Sequence, residues 1–485
     1  MTPGHYSNYI NGQWMPPSRG RYFEHHNPAR YAEVTGYYPA SEEVDAVTAI
    51  EAAAAAYPGW KGTNLVRRSE LLRHALQLMT ERSREIAEIL TTENGKTLSE
   101  SRAEIAAAAR EMDYQITQGM SAIGKTVPLE RSGAIGYSVR EPLGVVSVIS
   151  PWNFPFNVPG RKCVPALVAG NTCIFKPASL TPRTGIEFVR LFHDAGLPPG
   201  VLNLVTGSGR AVGTPFITDP RIRAISFTGS TEVGLQIQRT AAPHLVRTQL
   251  ELGGKNPAIV LEDADLDAAA KAIVTAAFSC AGQWCTSTSR AIVLDGVYDS
   301  FLEMITKRAS KIVVGNGMES RTGMGPVCGK EQYANILAAI EAGKQGGAHL
   351  VVGGEPIDGS EGYYIQPTIF SEVNPRSDLA QMEIFGPVLS VIRVRDFEEA
   401  LRVANDVRYG LCSSIFTRNL ERACRFLQQT DVGLTHVNLM TALKEPQLSF
   451  GGRKASGFGI PEAGETGVEF FTQHKVIYIN YGGEP

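Results

Sequence analysis

Three residues of this 485-residue chain stand where covalent and acid–base chemistry is available. Cys285 follows Gly282-Gln283-Trp284, a break in an apolar helix-like run that presents a thiol at the start of a new element. A thiolate is a strong nucleophile, and a helix N-terminus would stabilise it. Glu251 precedes Leu252-Gly253-Gly254, and a carboxylate beside two glycines has room to relay protons as a general base. Asn153, in Pro151-Trp152-Asn153-Phe154-Pro155, closes a β-branched run, and the carboxyl end of a strand is where α/β enzymes build their sites. Each has a plainer reading: a buried structural thiol, a loop or capping carboxylate, an ordinary turn. Two glycine-rich turns offer phosphate cradles. In Phe227-Thr-Gly229-Ser230-Thr-Glu-Val-Gly234 a strand runs into glycine, and a hydroxyl then caps a helix whose free N–H groups favour anions. Gly207-Ser-Gly209-Arg-Ala-Val-Gly213 misses the G-x-G-x-x-G spacing by one residue and serves equally as a tight turn.

The elements that must position these residues alternate. Helical periodicity comes first, over 42–57, 65–93 and 100–120. From about residue 137, strand-like runs at 145–149, 173–176, 201–205, 224–227 and 258–261 alternate with helical segments. After a helix at 268–281, further strands are expected at 290–294, 349–352, 364–369, 388–394, 413–417 and 434–438. This is the pattern of an α/β protein with doubly wound, mostly parallel sheets. The tail, 474–481, alternates as an edge strand would and suggests pairing beyond its own domain. Net charge is −3, from 46 basic and 49 acidic residues, which argues against a nucleic-acid or anionic-membrane partner. The N-terminus carries no signal pattern and no run spans a bilayer. Seven cysteines without a C-x-x-C pair imply free thiols in a reducing cytoplasm and no metal centre. Cys163, Cys173, Cys412 and Cys424 fall in apolar patterns that predict buried thiols, and Cys328 is unassigned.

Taken together, these segments resemble the aldehyde dehydrogenase superfamily from end to end. The match runs through Ile10-Asn-Gly-Gln-Trp14, Pro151-Trp-Asn-Phe-Pro155, Pro165-Ala-Leu167 to Asn171, Phe175-Lys-Pro177, 227–234, Glu251-Leu-Gly-Gly-Lys-Asn-Pro257, Gly282-Gln-Trp-Cys285, Glu383-Ile-Phe-Gly-Pro387 and Phe450-Gly-Gly-Arg-Lys-Ala-Ser-Gly-Phe-Gly459. The resemblance implies that Cys285 attacks the aldehyde, with Asn153 and the Cys285 N–H holding the oxyanion. Hydride transfer to nicotinamide then leaves a thioester that Glu251 hydrolyses to the carboxylate. The acylating branch, which uses coenzyme A, lacks this glutamate. Trp152, Lys176, Ser179, Gly229, Ser230, Glu383 and Phe385 match cofactor positions. Strongly NAD-specific relatives tend to carry glutamate where Ser179 stands; serine does not repel a 2′-phosphate, so NADP or NAD is expected.

The implied architecture is a dinucleotide-binding domain (1–124 and 141–252), a catalytic domain (253–450) and a small oligomerisation β element (125–140 and 470–485) joining a homodimer or homotetramer. For substrate, Arg161 lies eight residues after Asn153 and matches an arginine that helps hold the distal carboxylate in semialdehyde dehydrogenases. The second arginine those enzymes carry is Ser279 here. With the stretch 450–471, this points to succinate semialdehyde or 2,5-dioxopentanoate. Alternatively, Arg161 forms a structural salt bridge, and Trp284 and Phe450 line a pocket for aliphatic or aromatic aldehydes. A catalytically silent relative, or a bare thioester hydrolase, would lack one of these residue sets.

Overall fold

The computed structural model describes residues 3–121 and 123–482, so expectations touching residues 1, 2, 122 and 483–485 lie outside it. Two large sheets carry the molecule. The first has eight strands in the order Gly457–Phe458, Arg247–Glu251, Ile222–Thr228, Val145–Ile149, Thr172–Lys176, Leu202–Leu204, Asn8–Ile10 and Gln13–Met15. Its five central strands run parallel. They are buried on both faces, as their β-branched runs require. Strand order reverses between Val145–Ile149 and Ile222–Thr228, which opens a crevice at their carboxyl ends.

The second sheet has seven strands in the order His349–Val352, Thr368–Ser371, Val388–Val394, Thr288–Leu294, Asn256–Val260, Cys412–Phe416 and Leu434–Val437, all parallel except the first. Here the chain segments facing the crevice precede the strands: Cys285 comes just before Thr288–Leu294, and Glu383 and Phe385 come before Val388–Val394. Carboxyl ends of one sheet therefore meet amino ends of the other. A third, antiparallel sheet joins Gly124–Val127, Ala134–Pro142 and Thr472–Asn480. Among the described residues no helix is long and apolar enough to cross a membrane.

Several expectations need correction. The helical run at 65–93 is two helices, Leu65–Glu81 and Ser83–Asn94, broken at Arg82, which leaves helical geometry (φ −97°, ψ 7°) with no glycine or proline to mark it. Strands precede the helices: Tyr22–Asn27 and Arg30–Pro39 pair near the N-terminus, and Asn8–Ile10 joins Leu202–Leu204 from far along the chain. The strand expected at 364–369 occupies Thr368–Ser371, because Pro367 has no N–H to give a ladder. The tail strand, by contrast, pairs over nine residue pairs with Ala134–Pro142, as expected for a β element combining 125–140 with the tail. Cys424 is exposed, on the outer face of the helix Leu420–Gln429.

Candidate active site

Asn153 leaves the strand Val145–Ile149 through a turn and is buried at the crevice. Its Nδ2 donates to Gln283 O at 3.1 Å, which ties the turn to the segment carrying the thiol. Cys285 arrives by a sharp reversal: Cys280, Ala281 and Gly282 hold φ of 50°, 55° and 68°. A Cβ on Gly282 would lie 2.1 Å from Gly386 O, so only glycine fits there. Asn256 Nδ2 then pins Cys285 O at 2.7 Å and Ser287 O at 2.8 Å. No helix begins at Cys285; the chain turns and enters a strand, so the expected helix dipole is absent. Burial instead pushes the thiol up to about 12. The Arg161 charge opposes this, while Glu383, Glu462 and Glu251 reinforce it.

Glu251 ends its strand, its carbonyl accepting the Gly229 N–H at 3.0 Å. Burial, then Glu462, raise its carboxyl well above the ordinary range; Lys162 and Arg161 pull the other way. Its Oε2 is buried without a hydrogen-bond partner. Cys280 is buried away from the crevice, its N–H on Glu100 Oε1 at 2.7 Å, and burial likewise holds its thiol high.

A cavity of about 430 Å³ gathers Trp152, Asn153, Gly229, Ser230, Cys285, Glu383 and Phe385. Ser230 caps the helix Thr231–Ala241, accepting the Val233 N–H at 3.3 Å, so the helix N-terminus opens on this cavity. Thr228 Oγ1 beside it is buried without a partner. Glu383 Oε1 accepts the Gly254 N–H at 2.8 Å, and a Cβ on Gly253 would strike its other oxygen at 2.0 Å. Burial brings the Glu383 carboxyl up to about 7. The Phe385 ring meets Trp152 edge-on at 5.4 Å. A second cavity of about 800 Å³ is lined by Ser179, Ser208 and Arg210. The weaker of the two glycine turns thus builds it, and Arg210 was missed because its turn fails the phosphate-loop spacing. Lys176 is buried, donates to Pro177 O at 3.2 Å, and is pulled down to about 8 by burial. A helix terminus, glycines without room for a side chain and an orphan hydroxyl together fit a dinucleotide spanning the two cavities.

Arg161 sits on the helix Asn157–Ala169, which starts after Asn153, so the eight-residue spacing does not place the two on one helix face. Its guanidinium is buried, donating to Glu111 at 2.8 Å, Glu462 at 2.7 Å and Asn157 Oδ1 at 2.8 Å. Cys285 packs against the apolar cluster of Leu411, Phe450 and Ala463, and Arg161 stands 5.0 Å from the Phe450 ring centre. Trp284 stacks on Phe154 at 5.5 Å.

The model of the aldehyde dehydrogenase family matches residues 14–477. The chain belongs to the aldehyde dehydrogenase family. It is an NAD(P)-dependent oxidoreductase of that family's fold. It is 42% identical, over 98% of both chains, to an alpha-ketoglutaric semialdehyde dehydrogenase of Bacillus subtilis. A solved NADP-dependent enzyme of E. coli superposes with a TM-score of 0.95 at 34% identity, covering 98% of each chain. An NAD-dependent aldehyde dehydrogenase of Sinorhizobium meliloti gives 0.96 at 34%, covering 100% of this chain and 96% of its own. In this dehydrogenase sequence reasoning missed Arg210 and the buried Lys96, Lys162 and Glu462; Lys162 and Glu462 pair across 300 residues, whereas Lys96 pairs with Glu104 close by in sequence.

Proposed function

We propose that this dehydrogenase oxidises a carboxylate-bearing semialdehyde of the 2,5-dioxopentanoate type through a Cys285 thioester. The observation that carries the covalent reading is that Cys285, Asn153 and Glu383 line one cavity. Cys285 gives up its thiol proton to solvent, the thiolate adds to the aldehyde carbon, and the C=O π pair moves onto the oxygen as an oxyanion. Asn153 Nδ2 has two N–H groups; one is held by Gln283 O and orients the amide, leaving the other, with the Cys285 N–H, for the oxyanion. When bound, nicotinamide supplies the two-electron acceptor. Glu251, with an unpartnered oxygen, takes the proton from the water that cleaves the Cys285 acyl bond.

The substrate reading rests on charge as well as on the Bacillus relative. Behind Cys285, Arg161, Lys162 and Lys444 pair with Glu111 and Glu462, and Arg161 and Lys162 also face Glu251. Lys444 is the accessible member. Its ammonium stands 6.0 Å from the centre of the Phe450 ring, which belongs to the apolar cluster beside Cys285. A distal carboxylate could pair with the accessible Lys444 ammonium. The test compares kcat/KM for 2,5-dioxopentanoate with that for an uncharged aldehyde of equal length. The wild type should prefer the acid, and Lys444→Met should erase about tenfold of that preference, a modest charge-assisted hydrogen bond. No preference in the wild type would favour the second reading, a broad-range enzyme using the Trp284–Phe154 aromatic wall.

Ser179 and Arg210 in one cavity support NADP as well as NAD. Seven free thiols support a reducing cytoplasm. The exposed Val476, Tyr478 and Ile479 on the third sheet support a homo-oligomer built there.

A further inference from the structure

The helix Ser83–Asn94 ends at Gly95, whose φ of 94° turns Asn94 and Lys96 onto the Trp152-Asn153 turn. Asn94 Nδ2 donates to Trp152 O at 2.8 Å, and Lys96 Nζ donates to Asn153 O at 2.7 Å. Lys96 is 2% exposed and pairs with Glu104 Oε2 at 2.6 Å. The other oxygen of Glu104 accepts the N–H groups of Phe156 and Asn157 at 3.0 and 3.1 Å. The same ammonium stands 4.4 Å from the centre of the Phe154 ring, which stacks on Trp284, the residue before the nucleophile.

One buried cation therefore touches the Asn153-Phe154 turn directly and reaches the Trp284-Cys285 segment through the Phe154 ring. A buried ion pair is a poor source of stability, since a well-packed apolar pair commonly does as well. Here the pair spends its remaining bonds on backbone groups from 153 to 157. The surrounding backbone leaves it little play: a Cβ on Gly95 would lie 2.7 Å from Pro326, and one on Gly325 would lie 1.9 Å from Gly95 O.

We propose that Lys96 is a positioning residue for the oxyanion site. It fixes Asn153 through its carbonyl and the Trp284-Cys285 turn through the Phe154 ring, so that the Asn153 amide and the Cys285 N–H converge on one oxygen. This rests on the reading of Asn153 as an oxyanion donor. The test uses the paired variant Lys96→Met/Glu104→Gln, which removes the ammonium without stranding a buried carboxylate. Nucleotide affinity by fluorescence titration should stay within about twofold. The pre-steady-state burst of reduced nicotinamide should slow by about 10–100-fold, the usual effect of an ångström-scale misplacement. Combined with Asn153→Ala, the pair should cost little beyond Asn153→Ala alone, because both act on one interaction. Additive losses, or an unchanged burst in the paired variant, would overturn the proposal. An unchanged burst in Asn153→Ala alone would instead overturn the oxyanion reading beneath it. If the paired variant does not fold, Phe154→Leu breaks the ring link with the ion pair intact. A several-fold slower burst at unchanged nucleotide affinity then supports the proposal, and an unchanged burst rejects it.

Discussion

At the scale of residues, Cys285 sits in surroundings that oppose its ionisation. Burial pushes the thiol to about 12, with Arg161 the strongest opposing influence. The thiolate fraction of the free enzyme should therefore grow tenfold per pH unit up to that point. Iodoacetamide labelling of Cys285, followed by peptide mass because Cys424 is exposed, should accelerate steadily from pH 6 to 10. A plateau near neutrality would show a thiolate stabilised by something else. Cys285→Ala should abolish aldehyde oxidation, and Cys280→Ala should do much less. Glu251→Gln should give one burst of reduced nicotinamide and then a steady rate lower by about 10²–10⁴, as for loss of a well-placed base. The raised Glu251 carboxyl adds a sign: it accepts protons only when ionised, so wild-type turnover should climb with pH above the usual carboxyl range. The identities of these three residues were legible in Gly-Gln-Trp-Cys, Glu-Leu-Gly-Gly and Pro-Trp-Asn-Phe-Pro. Their electrostatics were not, because Arg161, Glu462 and Lys96 reach them only through the fold.

Elements were legible where packing and periodicity agree. The central parallel strands, buried on both faces, read directly from their apolar runs. The N-terminal strands did not: Asn8–Ile10 forms a short hairpin with Gln13–Met15 and is placed in the large sheet by Leu202–Leu204, nearly two hundred residues away. The two glycine turns illustrate a subtler case. Sequence favoured 227–234, whose helix cap does line the crevice, while 207–213 looked like a plain turn. Ser208 nonetheless caps the short helical turn Gly209–Gly213 and sets Arg210 beside Ser179. An exposed guanidinium there would pair with a 2′-phosphate in competition with water. Arg210→Ala should therefore raise the KM for NADP by about tenfold and leave that for NAD nearly unchanged. Ser179→Glu should shift preference the same way through repulsion. Equal effects on both nucleotides would place the 2′-phosphate elsewhere.

On the scale of the whole molecule, the crevice belongs to neither large sheet. Gly229 and Ser230 extend from the first, and Glu383 and Phe385 from the second. The segment after Phe450 stitches the two: Arg453–Lys454 pairs with Tyr409–Gly410, and Gly457–Phe458 then joins the first sheet beside Arg247–Glu251. Ser456 bonds both sides, its hydroxyl accepting the Gly410 N–H at 2.9 Å and its carbonyl accepting the Leu252 N–H at 2.9 Å. That motif was legible as a string of glycines and not as a bridge between sheets, because its partners, 409–410 and 247–252, lie far off in sequence. A dinucleotide spanning the crevice should accordingly stabilise both sheets at once. At a hundredfold excess over its dissociation constant it adds about 2.7 kcal/mol to the folded state. Calorimetry should show a single unfolding transition moving up by a few degrees, further as nucleotide rises. Cys285→Ala should keep the full shift, since in the proposed reading the thiol reacts with the aldehyde and does not hold the nucleotide. Two transitions, with only one displaced, would mean that nucleotide is held by one sheet alone and that the crevice residues of the other contribute nothing to binding.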